Sequence, residues 1–176
     1  MQRAARVHGG LRPEPQARER RRRSEHRLGG PFVQIAAGMY RCDERGCTSG
    51  GRHLCAIRTD GTLRCWGDDS NGQATPPGGT FTQVVVGGES SCALRDDGTV
   101  ACWGLTDPAP EGTFVALTRG QEDTCGLSAD GSATCWSEAG AAQPPDDLRL
   151  QQVSCGSSCC GVTEGLSIAC WGDTSR

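Results

Sequence analysis

From residue 32 onward, apolar and polar positions alternate with a period of two. In CAIRTDGTLRCWG, which begins at Cys55, residues Cys55, Ile57, Leu63 and Cys65 fall on one side and Ala56, Arg58, Thr62 and Arg64 on the other. Such alternation marks a strand with one greasy face. The block recurs as CALRDDGTVACWG from Cys92, CGLSADGSATCWS from Cys125 and CGVTEGLSIACWG from Cys160. On the Cys side the pairs Ile57 and Leu63, Leu94 and Val100, Leu127 and Ala133, Val162 and Ile168 are all apolar. No segment carries the 3.6-residue period of a helix. Asp60-Gly61, Asp97-Gly98 and Asp130-Gly131 sit at the centre of three copies and predict β-hairpins; the fourth has Glu164-Gly165-Leu166 instead.

Two registers fit the hairpin. A two-residue Asp-Gly loop sets Cys55 opposite Trp66. A three-residue loop, with Gly61 in the left-handed region as a bulge, sets Cys55 opposite Cys65. The second is preferred, because it places two Cys at a non-hydrogen-bonded pair with Cα atoms roughly 4.5 Å apart, within disulfide reach. The small residue after each first Cys (Ala56, Ala93, Gly126, Gly161) is expected to let a neighbouring sheet approach.

A second motif precedes each hairpin. Phe32-Val-Gln-Ile-Ala-Ala-Gly38 matches Phe81-Thr-Gln-Val-Val-Val-Gly87, Phe114-Val-Ala-Leu-Thr-Arg-Gly120 and Leu150-Gln-Gln-Val-Ser-Cys-Gly156. All three Phe and all four Trp of the chain occupy repeat positions. The first repeat carries an insertion, Met39 to Arg52. Between repeats run Gly-, Pro- and Asp-rich loops, which end strands. Each unit thus holds three to four short strands and is too small to bury its own faces, so it must stack on its neighbours. Small antiparallel sheets stacked radially make a β-propeller. The expected fold is all-β, a propeller or partial propeller of four short antiparallel repeats. They run over about 32–80, 81–113, 114–149 and 150–176 within a 31–176 domain, behind a disordered Arg-rich tail at 1–30.

The pattern Phe-x-x-Val-x-x-Gly, then His53, Cys55, Ala56, Ile57, Asp60, Gly61, Leu63, Cys65, Trp66 and Gly67, then Asn71-Gly72-Gln73, resembles the regulator of chromosome condensation repeat. The variant is the short, Cys-containing bacterial one, also similar to β-lactamase-inhibitory protein II. The resemblance covers residues 32–176. It implies a propeller, usually of seven blades, that binds proteins through loops on one face. Four repeats are too few for seven blades. A closed four-blade ring, an open arc, a truncated product and self-association all remain open. An open arc would expose sheet edges and a flat apolar face.

Twelve Cys in 176 residues are too many for an ordinary cytosolic enzyme and imply disulfides formed in an oxidising compartment. Four pairs lie ten apart: Cys55 with Cys65, Cys92 with Cys102, Cys125 with Cys135, and Cys160 with Cys170. Each such bridge contributes roughly 2–3 kcal/mol by the loop-entropy account. Cys42, Cys47, Cys155 and Cys159 remain and can pair locally, with the choice between Cys159 and Cys160 open. Zinc on Cys42, Cys47, His53 and Cys55 would break a repeated pair, and Asp68-Asp69-Ser70-Asn71-Gly72 lacks the first position of a calcium loop, so no metal or cofactor is expected. No nucleophile elbow or Cys-x-x-Cys is present, and no catalytic residues are expected.

Charge divides the chain. Residues 1–30 carry nine Arg and three Glu, whereas residues 31–176 carry nine Arg and 18 acids. Lys is absent, which fits a GC-rich genome better than a chemistry. The tail lacks the apolar stretch of a signal peptide and reads as a leader from a start codon set too far upstream. An acidic body disfavours nucleic acid. No apolar run approaches the roughly 18 residues of a membrane helix. The expected function is a non-catalytic, secreted or surface interaction module, in a narrower version an enzyme inhibitor, whose partner is a protein or cell-surface component. The variable loops after each Cys-Trp are the expected contact sites, through Asp68, Asp69, Asn71, Asp107, Glu111, Glu138, Asp146 and Asp147. The alternative is a truncated fragment of a longer repeat protein with no independent function. Alkylation without reduction is expected to leave the intact mass unchanged, and alkylation after reduction to add one label per Cys. Twelve labels before reduction would refute the disulfide framework.

Overall fold

The computed structural model describes residues 30–38, 41–43, 46–48, 53–120, 123–137 and 140–172. Among them there is no helix. Four three-stranded antiparallel sheets follow one another along the chain. The first is β1 (Phe32–Ala37), β4 (His53–Arg58) and β5 (Leu63–Gly67), with β4 in the middle. A small hairpin in the insertion, β2 (Arg41–Asp43) and β3 (Gly46–Thr48), sets Cys42 opposite Cys47 in backbone register. The second sheet is β6 (Phe81–Val86), β7 (Ser90–Arg95) and β8 (Val100–Gly104). The third is β9 (Ala116–Arg119), β10 (Thr124–Leu127) and β11 (Ala133–Trp136). The fourth is β12 (Leu150–Cys155), β13 (Ser158–Thr163) and β14 (Ile168–Gly172). Each sheet is a blade, and the stack of four is an open, partial propeller.

Turn chemistry decides the hairpin register. Arg58 N–H donates to the Thr62 carbonyl at 2.9 Å, which leaves Thr59-Asp60-Gly61 as a three-residue loop. Gly61 takes φ +80°, where a Cβ is disfavoured. Cys55 then faces Cys65 with Cα atoms 4.1 Å apart, and the same register recurs in the later blades. Disulfides join Cys55 to Cys65, Cys92 to Cys102, Cys125 to Cys135 and Cys160 to Cys170. A fifth joins Cys155 to Cys159 across β12 and β13, and so settles the choice between Cys159 and Cys160.

Alternation puts each blade's two faces into different cores. The Cys-side face of one blade (Cys55, Ile57, Leu63) packs on Phe81, Val84, Val86 and Trp103 of the next. Cys92 and Leu94 meet Phe114, Leu117 and Trp136 in the same way, and Cys125 and Leu127 meet Leu150, Val153 and Trp171. Polar bonds repeat alongside. The Gln34 amide accepts from Val84 N–H at 2.8 Å and donates to the Val84 carbonyl at 3.1 Å; Gln83 clamps Leu117 likewise at 2.7 and 2.8 Å. At the turns, Phe81 N–H donates to Gly61 O, Phe114 N–H to Gly98 O and Leu150 N–H to Gly131 O. The glycine closing the first motif has no Cβ for a reason of space. At Gly38 a Cβ would run into the Gly87 carbonyl of the next blade.

One expectation gains a second role and one changes. The small residue after the first Cys faces the preceding blade, where Ala93 is buried in the core with Cys55, Ile57 and Leu63. It also makes room within its own blade: a Cβ at Gly126 would strike the Phe114 ring, and one at Gly161 the Leu150 side chain, each from the first motif of the same blade. The fourth hairpin keeps the three-residue loop but places Leu166 at the position of Gly61, with φ +60° and an exposed side chain. A left-handed non-glycine residue costs about 1–2 kcal/mol, offset in part by the greater chain entropy of Gly. Leu166→Gly is expected to stabilise the protein by about 0.5–1 kcal/mol, read as a rise in Tm of roughly 1–4 °C. An unchanged or lower Tm would show that the turn carries no strain.

Candidate interaction surface

The loops after each Cys-Trp leave one end of a blade's last strand and return at its other end rather than gathering at one end. The loop of residues 67–80 leaves Gly67, paired with His53 at the end remote from the turn, and returns to Phe81, bonded to Gly61 within the turn. The loop of residues 137–149 lies along β11, where Gln143 accepts from Cys135 N–H at 3.0 Å and donates to the Cys135 carbonyl at 2.6 Å. Between them opens a shallow cleft of about 250 Å³, lined by Ser132, Thr134, Gln143, Pro144, Asp146 and Leu148.

The acidic residues of these loops fall into two groups. Asp68 accepts from Ser70 N–H at 3.0 Å, and that bond holds its carboxyl below the ordinary carboxylate pKa. Asp69 accepts from Ala74 N–H and from the Thr75 hydroxyl, both at 2.7 Å. Asn71 N–H donates to the Gln73 side chain at 2.7 Å. These residues fold their own loop. Gln73 is fully buried, and its carbonyl accepts from the Trp103 indole of the next blade at 2.9 Å. Asp107, Glu111, Asp146 and Asp147 are exposed, as Asp69 is, but their carboxylates make no hydrogen bond among the described residues. Asp68 and Asp69 lie beside the Trp end of their blade, whereas Asp146 and Asp147 lie just before Leu150 at the turn end, so the chain does not collect them into one patch. Glu138 lies outside the described residues.

A buried polar seam, which no single motif announces, links the first three blades. His53 Nε2 lies 2.7 Å from Ser91 Oγ, and the two are 3% and 0% exposed. The pair has the spacing of a base and a nucleophile, yet a substrate cannot reach a hydroxyl sealed between two blades. It joins β4 to β7. Arg119 donates to Ser90 Oγ at 2.7 Å and to Thr124 Oγ1 at 2.9 Å. Burial pulls its pKa below the ordinary value, with Asp123 opposing. Among the described residues, the one close grouping with metal-ligand atoms is Cys125, Cys135 and Cys159, whose sulfurs are already in disulfides.

With this geometry in hand the likenesses become readable. Residues 48–73 and 81–107 match the Regulator of chromosome condensation (RCC1) repeat. Two segments of the chain thus match regulator of chromosome condensation repeats. The matched segments contain the first two Cys hairpins and the Asn71-Gly72-Gln73 stretch that docks on Trp103. The ectodomain of the receptor kinase ACR4 from Arabidopsis thaliana is similar in structure, with a TM-score of 0.63 and 24% identity over 81% of this chain and 53% of that one. Yeast RCC1 (Prp20) bound to Kap60 aligns with a TM-score of 0.62 at 14% identity, over 80% of this chain and 43% of that one. Prp20p from Saccharomyces cerevisiae aligns at 0.63 and 15%, over 80% and 44%. The chain spans about half the length of these structures, and at such identities the likeness is one of fold. No curated protein matches the chain.

The repeated Asp of these repeats is a turn-former. Asp60, Asp97 and Asp130 each accept a side-chain hydroxyl and a backbone N–H from Thr62, Thr99 and Ser132. The hydroxyl bond, then the backbone bond, holds each carboxyl below its usual pKa. A folded-state pKa below the unfolded one favours the fold fully above the ordinary carboxylate value of about 4, and this contribution is lost as pH falls through the folded values. Replacing all three by Asn keeps the acceptor and removes the titration. The variant is expected to show a flatter fall of Tm between about pH 4 and pH 2. An acid limb identical to wild type would contradict this.

Proposed function

We propose that this chain is a non-catalytic protein-interaction module that works outside the cell and binds partners through its outer-edge loops. The observation that carries this reading is the contrast between constant blades and variable loops. The three Cys-Trp loops differ in length and composition, and two of them hold carboxylates aimed at solvent: Asp107 and Glu111 in one, Asp146 and Asp147 in the other. Five disulfides among the described residues fit an oxidising compartment. The ACR4 likeness is to a receptor ectodomain, and yeast RCC1 was solved bound to Kap60, so propellers of this type hold proteins. Inhibition of an enzyme is a narrower form of the same reading.

The structure also says which residues a test must spare. Gln73 and Gln143 hold their loops to the blades, and Asp68 and Asp69 fold theirs, so replacing whole loops would confuse binding with folding. Random displayed peptides selected on the wild-type protein are expected to be basic. They are expected to lose at least tenfold in affinity on the variant Asp107→Lys, Glu111→Lys, Asp146→Lys, Asp147→Lys. Selected peptides that bind this variant as well as wild type would place the contact elsewhere.

A further inference from the structure

The four blades provide an internal control for their own surfaces, because each position occurs four times. On the face that meets the preceding blade, Val84, Leu117 and Val153 are 1%, 4% and 8% exposed, while the counterpart in the first blade, Ile35, is 65% exposed. On the face that meets the following blade, Leu63 is 9% exposed and its counterpart in the fourth, Ile168, is 74% exposed. Beside Ile168, Val162 is half-buried where Ile57, Leu94 and Leu127 are buried. The bulge position behaves differently. Val33 and Val115 are exposed there, as are the polar Thr82 and Gln151, so exposure at that position belongs to every blade.

The open faces carry the polar half of the junction as well. Gln34 and Gln83 each clamp the backbone of the fourth residue of the next blade's first motif, Val84 and Leu117. Gln152 holds the same position in the fourth blade. It is exposed, and its side-chain amide makes no hydrogen bond among the described residues. The residue such an amide would meet is the fourth of a first motif, which on the open first blade is Ile35. The fourth blade therefore presents a complete donor half of a junction and the first blade a complete acceptor half.

We propose that these two faces form one interface: a second copy of the chain seats its first blade on the fourth, head to tail. Ile168 and Val162 cover Ile35, and the Gln152 amide clamps the Ile35 backbone N–H and carbonyl. The contact is heterologous, so copies close into a ring or continue as a chain, and either form is assembled from the same junction. The inference rests on the blade contacts and is independent of the loop-binding reading.

The test is sedimentation velocity and light scattering on the full chain across a wide concentration range. Wild type is expected to self-associate. Ile35→Arg and Ile168→Arg each bury an unpaired charge at the contact, so each variant alone is expected to weaken association by roughly 100-fold or more. Mixed together they are expected to form a one-to-one dimer, because each keeps the face that the other lacks. Gln152→Ala is expected to weaken association about tenfold, by leaving two backbone groups unpaired. Val115→Arg, the same chemical change at an exposed bulge, is expected to associate as wild type does. All of these positions are exposed, and near-ultraviolet circular dichroism checks that each variant keeps its packing. A wild type that stays monomeric throughout overturns the proposal. So does a mixture of the two Arg variants that stays monomeric, or a Val115→Arg variant as impaired as Ile35→Arg.

Discussion

Everything in this molecule depends on the junction between consecutive blades. A three-stranded sheet of about fifteen residues has two faces and almost no interior of its own. Its Cys-side face becomes core only when the next blade's Phe, Val and Trp arrive on top of it, as Phe81, Val84 and Trp103 do over Ile57 and Leu63. The Gln34 clamp on Val84 and the Gly61 carbonyl under Phe81 N–H set the position of that arrival. The apolar cover and the turn hydrogen bond recur at all three junctions and the Gln clamp at the first two, and together they turn a sequence period into a spatial one.

Sulfur makes up for the scarcity of large side chains. With three Phe, four Trp and one Tyr in 176 residues, the cores are thin, and the hairpin disulfides sit in their middle; Cys55, Cys92 and Cys125 are all 0% exposed. The fifth bridge extends this. Cys155 and Cys159 take the places held by Val86 and Ser91 in the second blade, and so face backward onto the third. The Cys125 sulfur lies 3.4 Å from that of Cys155 and 3.6 Å from that of Cys159, two bridges in van der Waals contact. A polarisable sulfur pair there packs the junction where aromatic bulk is lacking.

A scaffold whose rigidity comes from repeated turns, bridges and clamps leaves its connecting loops free to vary. The acidic side chains of residues 67–73 are spent on folding their own loop and docking Gln73. The carboxylates of Asp107, Glu111, Asp146 and Asp147 in the two later loops make no such bond among the described residues. On the proposed reading, recognition lies on the edge of the blades, away from the sealed His53 and Ser91 pair between them. The Asp of each Asp-Gly turn, the most regular carboxylate in the chain, holds its own turn.

The amino-acid sequence by itself determined the blade. Period-two alternation, the ten-residue Cys spacing and the Asp-Gly turns specify strand, register and cross-strand bridge, because all three are local and depend on backbone geometry a few residues apart. The Gln of Phe-x-Gln was visible as a recurrence, but not its role, since its partner lies a whole repeat away in the next blade. Only the tertiary structure decided which loop acids are used up internally, and that Gly126 lies under the Phe114 ring. Only it showed that Leu166 occupies a glycine's conformation. These outcomes turn on what faces a residue across space. The same reason separates Ile35 from Val84, and Ile168 from Leu63. They hold equivalent positions in the motif, yet one of each pair is covered by a neighbouring blade and the other is not.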